Sequence, residues 1–343
     1  MNNKPGLSIV MPVYNHRKLV KVMLDSILAN SYDDWELLAV DDGSDRATVD
    51  MLEDYAAKDR RILIIKRDRE PKGAPTCRNI GFEKAKGEYI VFFDSDDYVT
   101  PECLKTRVEC ISGRSDLDFM VFPSGVYDER GFHAGAHLSA FGYPIYKDDI
   151  ASFARRWLPF VVWNNIYRRS SLRYFKIRWD EKLLSLQDAD FNVATLVAGL
   201  RYDYARTAPN YGYRLSTNSS VSKKTFSEEH YRSHARSIRN MYEMVRGRYG
   251  HKYDRALFGG VCYMYNSLMT GSGVNQHLAA VLADSISDLD PGGSRILKRR
   301  AWLSKQMGRV LPSKVARQLP MLSFLISFRA MHRKKIKRIS KLL

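Results

Sequence analysis

Two short acidic runs carry the first chemistry that can be read. Asp41-Asp42-Gly43-Ser44 and Asp94-Ser95-Asp96-Asp97 each follow an apolar run. Asp94 and Asp96 are two residues apart, so in extended backbone their side chains share one face. Carboxylates gathered at one crevice repel each other unless a cation or a hydrogen-bond donor is bound there. One or two carboxylates together with phosphate oxygens is the usual way Mg²⁺ or Mn²⁺ is held on a nucleotide substrate. Asp and Ser also favour turns and helix caps, so either run alone reads as an acidic turn. Two such runs at strand ends of one sheet point instead to cation and phosphate chemistry.

The elements that position these runs alternate along the first 100 residues. Leu7–Met11, Trp35–Val40, Ile62–Ile65 and Tyr89–Phe93 read as short apolar strands. Between them, His16–Asn30, Thr48–Lys58 and Ala74–Lys86 carry apolar residues at helical spacing, with Gly87 as the expected C-cap of the third helix. Near-continuous apolar strands alternating with helices predict a parallel sheet covered on both faces. Ligands of such sheets sit beyond the carboxyl ends of the strands, where the acidic runs fall. Further on, Glu102–Ser112 and Gln187–Gly199 read as helices and Phe119–Phe122 and Val161–Tyr167 as strands, while 123–147 reads as irregular loop or hairpin. From Ser227 the chain reads as mostly helical, with a break at Pro291-Gly292-Gly293. A dinucleotide fingerprint would need glycines after the first strand. That place holds Pro12 to Leu19 with no glycine, and no Walker A motif occurs, which argues against nicotinamide and P-loop chemistry.

Four motifs in order resemble the family 2 glycosyltransferases of GT-A fold. They are Ser8-Ile9-Val10-Met11-Pro12-Val13-Tyr14-Asn15, Val40-Asp41-Asp42-Gly43-Ser44, Arg78-Asn79-Ile80-Gly81 and Asp94-Ser95-Asp96-Asp97. Two weaker segments follow. Trp163-Asn164-Asn165-Ile166-Tyr167-Arg168 resembles the family's W-x-K-L-Y-[KR], with Asn165 where Lys is usual. Gln187-Asp188-Ala189-Asp190-Phe191 resembles [EG]-[ED]-D-x-x-F, with Gln187 in place of Glu. The resemblance covers about residues 6–220. It implies the GT-A nucleotide-diphospho-sugar transferase fold, an α/β architecture with a Rossmann-like, mainly parallel mixed sheet, here followed by a helical, basic C-terminal extension.

The resemblance also implies roles. Pro12, Val13 and Tyr14 would line the base and ribose pocket; Asp41, with Asp42 beside it, would accept from a uracil-type imide. Arg78 would lie near the base or diphosphate, Asp94 and Ser95 near the ribose or metal, and Asp96 on a divalent Mn²⁺ or Mg²⁺, with Asp94 as second metal ligand. Asp188 would be the catalytic base, with Asp190 its rival two residues on. Tyr211, Tyr213 and Arg214, followed by Ser219 and Ser220, resemble a donor-site segment that would bring Arg214 to the diphosphate. Inverting transfer needs a carboxylate to take the acceptor hydroxyl's proton; the nucleoside diphosphate leaving group, stabilised by metal, needs no general acid. The expected enzyme is a hexosyltransferase using a UDP-sugar and a glycan or lipid-linked acceptor in surface polysaccharide biosynthesis. Trp163 reads as core or acceptor-site wall, and His133 and His137, in a Gly-rich stretch, as loop residues.

Charge divides the 343 residues unevenly. The net charge is +17, yet residues 295–343 hold fifteen Lys and Arg and no Asp or Glu, leaving 40 basic against 38 acidic residues elsewhere. A nucleic-acid binder would spread its cations over the fold with interleaved aromatics; a nucleotidyltransferase of similar sheet would carry a glycine-rich phosphate loop. Neither pattern is present, and no nucleic-acid partner is expected. The basic segment instead suggests an anionic membrane surface. Leu325, Phe328, Ile336, Ile339 and Leu343 fall on one helical arc, with Lys334, Lys337, Arg338 and Lys341 opposite. The expected organisation is a catalytic domain over 1–222 (nucleotide-binding half 1–100, acceptor half 101–222), a helical extension over 223–293 and a basic amphipathic tail over 294–343. No apolar run reaches the ~20 residues of a membrane span, and no signal peptide is visible. Cys77, Cys103, Cys110 and Cys262 form no CxxC pair. These features suggest a cytoplasmic protein, peripheral at the inner face of the plasma membrane.

Overall fold

The structure is a computed structural model that describes residues 4–215, 227–270, 276–307 and 322–343. The first half alternates as the sequence predicts: β1 (Leu7–Val13), α1 (Arg17–Leu28), β2 (Trp35–Asp41), α2 (Arg46–Lys58), β3 (Ile62–Lys66), α3 (Ala74–Lys84) and β4 (Tyr89–Phe92). There follow β5 (Tyr98–Val99), α4 (Cys103–Ser112), β6 (Phe119–Val121), β7 (Ser124–Asp128), β8 (Gly131–His133), α5 (Asp149–Ala154), β9 (Asn165–Arg168), α6 (Arg169–Tyr174), α7 (Gln187–Ala198), β10 (Tyr202–Tyr204) and β11 (Tyr211–Arg214). The C-terminal helices are α8 (Glu228–Tyr249), α9 (Asp254–Thr270), α10 (Gln276–Asp284), α11 (Pro291–Met307) and α12 (Leu322–Ile339).

Seven strands form the main sheet in the order β10-β6-β9-β4-β1-β2-β3. Among the described strands of this sheet, β9 alone runs against its neighbours β4 and β6. β1 is buried on both sides, as its apolar run requires: Leu7, Ile9, Met11 and Val13 enter one core cluster and Val10 the other. The chain steps from β1 outward through β2 to β3, then returns to place β4 on the other side of β1. Strand order thus reverses between β1 and β4, and the crevice beyond their carboxyl ends is where such a sheet binds ligands. A smaller sheet, β5-β11-β7-β8, grows from the chain just after the Asp94–Asp97 turn.

One core joins the sheet to the C-terminal helices. Val10, Phe92, Phe119, Tyr167 and Phe191 share a cluster with Ile238, Tyr242, Leu257, Val261, Leu282 and Leu297. α7 packs on α8, which in turn meets α9 and α10. The four cysteines are free thiols.

Several local expectations change. α3 ends at Lys84, so Gly87 is no cap. Its missing side chain lets the backbone pass β1, where a Cβ would lie 2.6 Å from Ser8 N. Val161–Tyr167 is not one strand: a 3₁₀ turn over Val162–Asn164 precedes β9. Pro291-Gly292-Gly293 opens α11 rather than interrupting the chain, with Pro suited to a first helical turn. The apolar arc of the tail is also divided. Ile339 is fully buried against Ala140 and Tyr143, while Ile336 is 37% and Leu343 56% exposed. Lys335 lies over the Phe141 ring and donates to the carbonyl of Leu138, and Arg338 donates to that of Ile145 at 2.6 Å. The helix therefore spends part of both faces on the 136–145 loop. The side chains of Leu325 and Phe328, and residues Ser219 and Ser220, lie outside what is described. Among the described residues no helix is long and apolar enough to cross a membrane.

Candidate active site

Gly81 fixes how α3 meets β1. A Cβ there would fall 2.4 Å from Val10 Cγ1, so only glycine allows this approach. One turn earlier, Arg78 is buried and reaches three elements. Nη2 donates to Asp94 Oδ1 at 2.5 Å and Nη1 to Gln187 Oε1 at 2.7 Å, and the guanidinium lies 4.5 Å from the Trp179 ring centroid. Asn79 holds the same loop, exchanging hydrogen bonds of 3.0 Å with the Trp179 backbone in both directions. Arg78 Nε is buried without a partner.

The turn after β4 is braced from the small sheet. Asp97 is buried and accepts from Tyr211 OH at 2.8 Å and from Arg214 N at 2.7 Å. The Tyr211 hydroxyl also accepts from Asp94 N at 3.2 Å. Its ring stacks on Trp163 with centroids 4.6 Å apart, which β9's reversed direction brings to the crevice. Arg214 Nε donates to the Asp96 carbonyl at 2.6 Å while its guanidinium lies over Tyr127, and its buried Nη2 has no partner. Burial and the neighbouring Asp94 charge push the Asp96 carboxyl above the usual range; burial, with Asp96 and Asp94 beside it, pushes Asp97 well above it. The Asp96 carboxylate forms no ion pair among the described residues. Ser95 sits half-buried between them.

Asp188 enters the same space from the first turn of α7. Its Oδ1 is buried and unpartnered. Burial pushes its pKa up to about 6, opposed by the Arg78 guanidinium and reinforced by Asp94. Asp190 faces elsewhere. It accepts from Asn240 of α8 at 3.1 Å, and burial, only partly offset by that bond, pushes it up to about 6 as well. The two carboxylates thus belong to different surroundings: Asp188 to Arg78 and Asp94, Asp190 to α8 and Arg156.

At the other side of β1, Asp41 accepts from Ser44 N at 3.0 Å and Gly43 N at 3.3 Å, shaping its own loop. Asp42 pairs with Arg67 at 2.7 Å and donates its backbone N–H to the carbonyl of Val13, next to Pro12 at the end of β1. Tyr14 is 47% exposed, with Lys72 Nζ 3.6 Å over its ring. Neither histidine of the Gly-rich stretch faces the other as a ligand pair: His133 bonds Asp128 at 2.9 Å and His137 accepts from Ser139 N at 3.0 Å. Asn165, where a Lys would be a buried charge, bonds Tyr167 OH at 2.6 Å and Asn192 at 3.1 Å.

Carboxylates, two arginines and one desolvated acid at a switch point are suited to holding a diphosphate and moving one proton. Residues 8–176 match the family described as Glycosyl transferase family 2. This chain carries a family 2 glycosyltransferase domain. Among its relatives, the putative glycosyltransferase EpsH of Bacillus subtilis is 27% identical over 226 residues, 64% of this chain and 63% of that protein. The putative teichuronic acid biosynthesis glycosyltransferase TuaG of B. subtilis is 37% identical over 114 residues, 33% of this chain and 45% of that one. The chain thus spans less than two thirds of the length of these relatives. S. aureus TarS 1–349 in complex with UDP-GlcNAc superposes with a TM-score of 0.65 at 18% identity, over 98% of this chain and 90% of that chain. The glycosyltransferase domain has the GT-A fold expected from its motifs, with a mainly parallel sheet and a helical C-terminal region.

Sequence reasoning named Asp94, Arg78 and Asp188 separately; the structure puts them in one charge cluster. It missed Gln187 and Trp179 as partners of Arg78, and Tyr211 with Asp97 as the brace of the acidic turn. Gln187 and Asp97 stood inside the motifs, but only the folded geometry supplies their partners. Trp179 had no sequence signal.

Proposed function

We propose that the domain transfers a sugar, with inversion, from a nucleotide-sugar donor to a hydroxyl of a glycan or lipid-linked acceptor. The observation that carries this reading is Asp188: a buried carboxylate with a free oxygen and a pKa near 6, poised beside the Arg78–Asp94 pair. A base of that pKa is ionised at neutral pH and still able to accept a proton. The family match supports glycosyl transfer, and a neighbour of the same fold holding UDP-GlcNAc supports a UDP-sugar of the hexose class. The names of TuaG and of the poly(ribitol-phosphate) beta-glucosyltransferase of Bacillus spizizenii support a role in surface polysaccharide synthesis. The place of work is the inner face of the plasma membrane, reached peripherally through the basic segment 294–343.

The acidic turn fits a divalent cation brought with the donor. No group of three or more His, Cys, Asp or Glu side chains forms an all-protein cage among the described residues. A nucleotide-bound Mg²⁺ or Mn²⁺ needs only one or two carboxylates, the rest of its shell being phosphate oxygens and water. Asp96 is free to serve: burial and the neighbouring Asp94 charge hold its carboxyl above the usual range, and a cation would offset both. Asp94 would join it on exchanging its Arg78 partner. A cation there would neutralise charge developing on the departing diphosphate. Arg78, with one guanidinium nitrogen unused, and Arg214, likewise, would turn to the same oxygens. Asp188 takes the acceptor proton as its oxygen attacks the anomeric carbon. Pro12, Val13, Tyr14, Asp41 and Asp42 would hold the nucleoside.

The test is nucleoside diphosphate release from a panel of nucleotide sugars with Mn²⁺, Mg²⁺ or EDTA. A single preferred UDP-sugar, turnover lost in EDTA and lost again in Asp188→Asn supports the reading. Wild-type rates in Asp188→Asn, or no release from any nucleotide sugar, overturns it.

A further inference from the structure

α11 is a two-faced helix whose outer face, among the described residues, is exposed. Its inner side, with Ser294 and Leu297 buried and Ala301 packed beside them, seats on α9 and α10, and the Leu297 carbonyl accepts from Tyr265 OH at 3.2 Å. At about 100° per residue, Trp302, Arg295, Arg299, Leu303 and Ile296 fall on the opposite side. The structure exposes them: Trp302 is 58%, Ile296 46% and Leu303 39% exposed, with Arg295 and Arg299 exposed between them. Lys305, near the end of the helix, is exposed as well, and the helix holds no Asp or Glu.

We propose that this outer face of α11 is the surface by which the protein docks on an anionic lipid bilayer. The inference deepens the peripheral-membrane part of the proposed function. Trp with its polar N–H, together with Ile and Leu and with two arginines interspersed, is the composition of an interfacial surface, apolar groups at the acyl boundary and the long cationic side chains reaching to the headgroups. α12, the other basic helix, has given Ile339, Lys335 and Arg338 to the 136–145 loop. α11 has given its core only its inner side. Charge selects the occupant. A second copy seated on this face would set Arg295 and Arg299 against their own counterparts, whereas anionic headgroups neutralise them.

The experiment is co-sedimentation of the full chain with phosphatidylglycerol-rich vesicles and with pure phosphatidylcholine vesicles, at low and high salt. The wild type pellets with the anionic vesicles and is released by salt. Trp302→Ala with Leu303→Ser lowers partitioning by about tenfold or more, and Arg295→Gln with Arg299→Gln by about thirtyfold. Lys334→Gln with Lys337→Gln on α12 changes it less than either. All the replaced side chains are exposed, so thermal unfolding of each variant matches the wild type. Failure of the wild type to pellet overturns the proposal. So does wild-type partitioning of the Trp302 variant, release by the α12 variant alone, or self-association that disappears with Trp302→Ala. Nucleoside diphosphate release, measured on the same samples without vesicles, reports on sugar transfer separately. Its absence refutes the transferase reading and leaves the vesicle result standing.

Discussion

Asp188→Asn should make the protein more stable while silencing it. The Asp188 carboxyl moves from the ordinary 3.8 to about 6 on folding, chiefly because it is buried, with Oδ1 shut off from water. A carboxyl raised on folding favours the native state below its unfolded pKa, and that advantage is lost as pH rises through the folded value. Above both values the ionised group costs the native state about 3 kcal/mol, at roughly 1.4 kcal/mol per pKa unit. Asn keeps the shape without the charge, so near pH 8 the variant should unfold about 1–3 kcal/mol later, the lower figure allowing for its own unpaired amide. By about pH 5 much of the native carboxyl is already protonated and the gain should fall to about half. Urea unfolding at the two pH values measures this directly. Initial rates should drop ~10²–10⁴-fold in the variant, and wild-type turnover should decline below about pH 6. A variant less stable than wild type near pH 8, or equally stabilised at both pH values, would refute the argument that Asp188 is held charged against its surroundings.

Three further outcomes follow from the same geometry. Asp190→Asn should keep turnover within a few-fold of wild type, because Asp190 is engaged by Asn240 rather than by the crevice; a loss like that of Asp188→Asn would move the base two residues along. Asp96→Ala should abolish metal-dependent turnover without lowering the unfolding midpoint, since its carboxyl is desolvated and carries no ion pair; full activity of this variant in EDTA would remove the cation from the mechanism. Gly81→Ala should cost about 1–3 kcal/mol by forcing a methyl against Val10, read as a lower urea midpoint, and should weaken donor binding as Arg78 shifts.

The nucleotide-binding half was legible because its determinants are local. Apolar runs such as Leu7–Met11 and helical spacing such as Leu19, Val22, Met23 and Ile27 (the first two half-buried, the last two buried) repeat within a few residues, so period alone separates strand from helix. The small sheet was not legible. β11 pairs with β5 and β7 across about a hundred residues, and none of its four residues states its partner. Gly87 looked like a helix cap because glycine serves both caps and close approaches; only the position of Ser8 distinguishes them. The site shows the same division. Asp94, Asp96, Arg78 and Asp188 are visible as residue types in a pattern, but that Arg78 holds Asp94 is a property of how closely α3 lies on β1. In the tail, the arc through Ile336, Ile339 and Leu343 is divided by the fold: Ile339 packs on Ala140 and Tyr143, while Ile336 and Leu343 stay exposed, and helical period alone does not announce that neighbour.

The seam between sheet and C-terminal helices has a consequence for how Asp188 is aimed. The segment that matches the family ends at residue 176, before α7 begins, and α7 is wedged against α8 by side chains from the chain's second half. The Asp94–Asp97 turn is braced by the small sheet through Tyr211 and Arg214; Asp188 rides on a helix packed against α8. Exchanging residues on the buried side of α8 would swing Asp188, the proposed base, relative to the Asp94–Asp97 turn. On the proposed mechanism, regiochemistry, the choice of which acceptor hydroxyl is deprotonated, would thereby become adjustable from behind the site.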